Sequence, residues 1–71
     1  MSEKDLVEEI MHTIRALNIR SINWYKFIKH FEKELMLYFR ERTQTKSELA
    51  TVIKMNRPTV IMKMKALKIK L

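Results

Sequence analysis

Apolar side chains recur along this chain at three- and four-residue intervals, the period of a helix rather than of a strand. Leu6, Val7, Ile10, Met11, Ile14 and Leu17 form a wide stripe that predicts a helix from about Glu3 to Leu17. Ser2 stands before it as N-cap, with Asp5 at the reciprocal position of a capping box. Glu8 and Glu9 lie mainly opposite the stripe. Residues 18–23 are the one plausible interhelical break in the first half, and Ser21 or Asn23 caps a second helix running to about Arg42. Trp24, Phe27, Ile28, Phe31, Leu35, Tyr38 and Phe39 mark one face of it. The stretch Leu35-Met36-Leu37-Tyr38-Phe39, however, is apolar all the way round the cylinder. A helix apolar on every side is buried on every side, and one short neighbour cannot cover it. The expectation is a helix packed both on the first helix and on a second copy of the chain.

Two shorter helices follow. Thr45 and Ser47 can cap the first of them, whose apolar positions are Leu49, Ala50 and Ile53. Asn56 offers another N-cap, with Pro58 in the first turn, where a missing N–H costs nothing. Val60, Met64 and Leu67 then fall at i, i+4 and i+7 on one face, and Ile69 and Leu71 are expected to fold back onto the core. With no Gly and one Pro, hairpin signals are missing and the fold class is all-α, four helices in one domain spanning residues 1–71. Two short helices joined by a tight turn, the second opening on Asn56-Arg57, have the outline of a helix-turn-helix that docks in a DNA major groove.

Composition sharpens this picture at two points. Hydrophobic residues make up 46% of the chain, a large share for a small domain that buries only about 60% of its unfolded surface. That surplus again suggests a homodimer. The formal net charge of +7 is also unevenly spread. Residues 1–42 hold eight Lys/Arg against seven Asp/Glu, whereas residues 43–71 hold seven Lys/Arg against Glu48 alone. A near-neutral half joined to a half of net +6 is an electrostatic footprint for a polyanion. The chain has no Cys, no phosphate-cradling Gly loop and no Ser/His/acid arrangement, so an enzyme is not expected, nor a metal or other cofactor. His12 and His30 stand apart, and His30 is expected to pair with Glu34 one turn on. No apolar run reaches the roughly 18 residues of a membrane span, and the acidic N-terminus lacks a signal-peptide core, so a cytoplasmic location is expected.

Residues 27–69 resemble the C-terminal part of the factor-for-inversion-stimulation (Fis) family and the DNA-binding domains that end bacterial enhancer-binding activators. That pattern has a helix ending in an acidic residue and alternating leucines, then Asn-x-Thr, small residues, Leu-Gly-Ile, Asn/Ser-Arg-x-Thr-Leu and Lys-Leu-Lys. Glu32 and Leu35 match its first part, Thr45 stands for the Asn, Ser47 for the Thr and Ala50 for a packed alanine. Ile53-Lys54-Met55 replaces Leu-Gly-Ile, and Asn56-Arg57-Pro58-Thr59-Val60 with Lys63-Met64-Lys65 matches the recognition helix. The two upstream helices agree in length and order, so the resemblance extends over nearly the whole chain.

The resemblance implies an intertwined dimer of the helices in 1–42, with Leu6, Ile10, Ile14, Trp24, Phe27, Phe31, Leu35, Tyr38 and Phe39 at the interface. It implies a helix-turn-helix in 43–71 that binds and bends double-stranded DNA through indirect readout, with no small-molecule ligand. By matched position Asn56 and Arg57 approach base edges, while Thr45, Lys46, Ser47, Thr59 and Lys65 contact phosphates. A bacterial, nucleoid-associated or transcription-regulating role follows from the same likeness. Ile61 and Met62 stand where the family carries basic residues; they face DNA as thymine-methyl contacts or form the surface of a protein-interaction module or adaptor. Lys54 replaces the turn glycine, and Glu48 replaces a basic residue and is expected to face phosphate unfavourably.

Overall fold

The computed structural model describes residues 1–70. It is all-helical over them, with α1 at Glu3–Leu17, α2 at Trp24–Glu41, α3 at Lys46–Ile53 and α4 at Arg57–Ala66. Each start has a local cause. Ser2 Oγ accepts the Asp5 N–H while the Asp5 carboxylate accepts the Ser2 N–H, which completes the expected capping box of α1. Asn23, not Ser21, caps α2 by accepting the Lys26 N–H at 3.1 Å. Thr45 caps α3 by accepting the Glu48 N–H.

The ends are equally specific. Asn18 closes α1 in the left-handed region (φ 51°), a conformation that asparagine tolerates. Lys54 closes α3 at φ 55°, and Lys68 follows α4 at φ 58°. In both cases the next N–H reaches back five residues, Met55 to the Ala50 carbonyl and Ile69 to the Met64 carbonyl. These are Schellman closures, which usually place Gly at the left-handed position. The second one turns the chain so that Ile69 joins the core as expected. Leu71 lies outside the described residues.

The core is small and belongs to the second half. Leu49 and Val60 are fully buried, and Ala50, Met64, Leu67, Ile69 and Met36 complete the cluster, with Leu37, Phe39 and Ile53 packed against it. α4 thus inserts Val60, Met64 and Leu67 against α3, and α2 covers the pair with Met36. Of the aromatic stripe of α2, Phe39 alone packs against this core among the described residues. At about 100° per residue Phe27 lies opposite Met36, and Phe31 and Tyr38 lie close to Phe27. Phe27, Phe31, Leu35 and Tyr38 instead line an open apolar groove, edged by His30 and Glu34. Phe39, expected at the dimer interface, packs on the chain's own core.

α1 buries no residue at all. Its stripe, expected to pack on α2, is left in solvent or only half-covered, with Leu6, Val7 and Leu17 exposed. The chain accordingly exposes 6375 Å², whereas a compact monomer of its mass exposes about 4,700 Å². Its radius of gyration is 13.9 Å, against about 11 Å for a compact domain of this length. Most of the exposed large apolar side chains belong to residues 1–42.

Candidate functional site

The basic half presents two helix N-termini, and these carry most of the residues singled out above. At the first, Thr45, Ser47 and Glu48 are exposed and Lys46 is half-buried. The Thr45 hydroxyl oxygen accepts the Glu48 N–H at 3.1 Å, which leaves its O–H free to donate to an anion. Glu48 is better placed than the sequence suggests: its carboxylate accepts the Gln44 N–H at 3.0 Å. The Thr45-x-x-Glu48 spacing is that of a capping box, shifted here by one residue, so the acid stabilises the start of α3. Its charge nevertheless sits beside the amides an approaching phosphate would use.

At the second N-terminus Asn56 occupies the cap position (φ −65°, ψ 145°) but its side chain makes no capping hydrogen bond. The expected N-cap is therefore positional only. Asn56 keeps its amide donors and acceptor unused, and exposed Arg57, Pro58 and Thr59 follow it. Among the described residues no ion pair engages Arg57 or Lys65, and the latter lies exposed two turns further along α4. Between them Ile61 is half-buried, whereas Met62 is 70% exposed.

Lys63 behaves differently. Its Nζ lies 3.6 Å from Glu32 Oε2 on α2, the one ion pair among the described residues. Both side chains are more than a third exposed, so the pair contributes little stability. Its effect is positional, since it turns one α4 cation towards α2. Arg42 is similarly engaged: its Nη1 donates to the Tyr38 carbonyl at 2.8 Å and the guanidinium stacks 3.7 Å above the Tyr38 ring. His30 and Glu34 share the rim of the α2 groove without forming the expected ion pair.

The cations of this half that no ion pair among the described residues engages are therefore Lys46, Lys54, Arg57, Lys65, Lys68 and Lys70. Among the described residues no cluster of His or acidic side chains could hold a metal ion, and no helix is long and apolar enough to cross a membrane. No protein-family model matches the chain, and no curated protein or solved structure matches it.

Proposed function

We propose that the chain is a homodimeric DNA-binding protein, a bacterial transcription regulator or nucleoid-associated factor. In this reading α3 and α4 form a helix-turn-helix, α4 enters the major groove, and paired units bend the duplex. One observation carries it. A small basic α3–turn–α4 unit, with its N-terminal side chains in solvent, stands beside α1, which buries no residue, and beside the open apolar groove that Phe27, Phe31, Leu35 and Tyr38 line on α2.

The unused Asn56 amide suits adenine N6/N7, and the unpaired Arg57 suits guanine O6/N7. Thr45, Lys46, Ser47, Thr59 and Lys65 supply hydroxyls and amines for phosphate, and the helix N-termini add their amides. Ile61 and Met62 lie on the same helix and complete the contact surface. The dimer seam draws on Leu6, Ile10 and Ile14 of α1 and on Trp24, Phe27, Phe31, Leu35 and Tyr38 of α2, leaving Phe39 to the intramolecular core. About 1,700 Å² of surface in excess of a compact monomer gives a two-sided interface of about 3,400 Å², the size of an obligate dimer.

The test is a gel shift of the full chain on random and AT-rich duplexes, with the mass of the complex measured. Binding by a dimer, weakened on the order of 1–3 kcal/mol by Arg57→Ala, is expected. The affinity should also fall with salt less steeply in the variant, by about one phosphate contact per protomer. Undiminished affinity of Arg57→Ala between about 50 and 200 mM salt would refute the assignment. The exposure of Met62 supports a second reading, a protein-interaction module or adaptor built on the same fold. It predicts no duplex binding and a protein partner released by Met62→Glu.

A further inference from the structure

The outer face of α4 has a composition that DNA affinity alone does not explain. With Val60, Met64 and Leu67 buried, a period of about 3.6 residues puts Met62 near the centre of the opposite side, with Pro58 and Lys65 one turn away on either hand. Met62 is 70% exposed, against 48% for Val52 and 39% for Met55, the other large exposed apolar side chains among the described residues of this half. A single exposed methionine is ordinary on a protein surface. This one, however, lies one turn from Lys65 on a helix that has no acidic residue and opens with Arg57, and among the described residues no ion pair engages either cation.

Charge complementarity therefore selects a polyanion as the occupant of this face, while its centre offers no charge, no hydrogen-bond donor and only the weak acceptor of a thioether. In the major groove the one apolar group available to such a side chain is the methyl at pyrimidine C5. An unbranched thioether is long and polarisable enough to follow it. We propose that Met62, with Ile61 beside it, makes α4 a reader of C5-methyl groups on duplex pyrimidines. The proposal rests on the DNA-binding reading above and gives it a preference: thymine-rich sites arise from contact with the methyl as well as from duplex flexibility. The methyl has two natural sources, thymine and 5-methylcytosine.

The experiment compares the full chain on one AT-rich duplex, on the same duplex with every thymine replaced by uracil, and on a GC-rich duplex with and without 5-methylcytosine. Fluorescence anisotropy gives the affinities, and Met62→Gln is the variant, since a side chain so exposed can be changed without touching the core. Each contacted methyl should be worth about fourfold in affinity, the ratio set by burying one methyl-sized group. The thymine duplex should thus bind several-fold tighter than its uracil counterpart, and Met62→Gln should erase the difference. A gain on 5-methylcytosine as well assigns the effect to the methyl itself; a gain on thymine alone assigns it to thymine.

Equal binding of thymine and uracil duplexes overturns the proposal and leaves DNA binding intact. A thymine preference that persists in Met62→Gln also overturns it, because the methyl is then acting through duplex shape. Failure to bind any duplex overturns the DNA-binding reading itself and leaves the apolar centre of α4 to a protein partner.

Discussion

The dimer is most sharply tested on α1, because no residue of that helix is buried within the chain. Ile10 is half-covered at the middle of the stripe, so Ile10→Glu removes nothing from the cluster around Leu49 and Val60. If α1 remains in solvent, the substitution is close to neutral. If the stripe is a dimer seam, the cost follows from burial. Withdrawing one isoleucine side chain loses about 2 kcal/mol. Two-fold symmetry repeats the loss in the partner, which gives about 4 kcal/mol per dimer, or about a thousandfold in dissociation constant. Burying a glutamate without a partner adds to that. Sedimentation equilibrium reads the mass directly, and thermal unfolding at several concentrations reads the linkage, because a dimer's midpoint rises with protein concentration. The expected result is a dimeric parent with a concentration-dependent midpoint, and a variant that is monomeric at concentrations where the parent is not. A parent that sediments as a folded monomer, or an Ile10→Glu variant with undiminished association, would refute the reasoning.

Two further predictions concern the scaffold. Lys54 closes α3 at φ 55°, where a side chain with a Cβ costs roughly 1–2 kcal/mol and Gly does not. After the extra freedom Gly brings to the unfolded chain, Lys54→Gly should stabilise by about 1 kcal/mol, seen as a midpoint about 4–8 °C higher at fixed concentration; a lower midpoint would exclude strain at the turn. Leu49 is fully buried between α3 and α4, so Leu49→Ala should cost about 2–5 kcal/mol in denaturant unfolding, enough to unfold the basic unit of so small a protein. A loss under about 1 kcal/mol would mean that the core lies elsewhere.

Most of the helix layout is legible in the residues, because each boundary is a local event. Ser2 with Asp5, Asn23 and Thr45 mark starts by capping chemistry that spans three residues. What escapes a local reading is the choice among faces. α2 is apolar all round near its C-terminal end, so periodicity cannot rank its sides, and the aromatic stripe is the more conspicuous one. The core nevertheless takes Met36, because α3 packs on that side. That decision depends on a contact between residues more than ten positions apart, which no helical period encodes. Lys63 with Glu32 is non-local in the same way. Glu48 is a different case. Its Thr45-x-x-Glu48 spacing is visible in the sequence, but weighing it only as a charge among cations hides its role in holding the start of α3. Asn56 errs in the opposite direction, since a residue type that favours capping stands at the cap position and leaves its side chain unused.

These placements bear on how the two halves of the chain depend on each other. Among the described residues one basic unit has only Arg57 and Lys65 as exposed cations along α4 without an ion pair, while Lys63 leans towards Glu32 and Glu48 occupies the start of α3. Such a unit is a weak polyanion ligand by itself, because affinity for DNA falls steeply as phosphate contacts are removed. Two units held at a fixed separation are another matter. Once one is docked, the second binds at an effective concentration that reaches millimolar, without any new contact. In the proposed assembly that separation is set by α1 and the aromatic groove of α2, neither of which carries a residue expected to touch DNA. The apolar half therefore controls the affinity of the basic half. Ile10→Glu, which alters no DNA-contacting side chain, should lower duplex affinity more than Arg57→Ala does. If the monomeric variant bound DNA as tightly as the parent, the unit would be self-sufficient and the apolar half would serve some other contact.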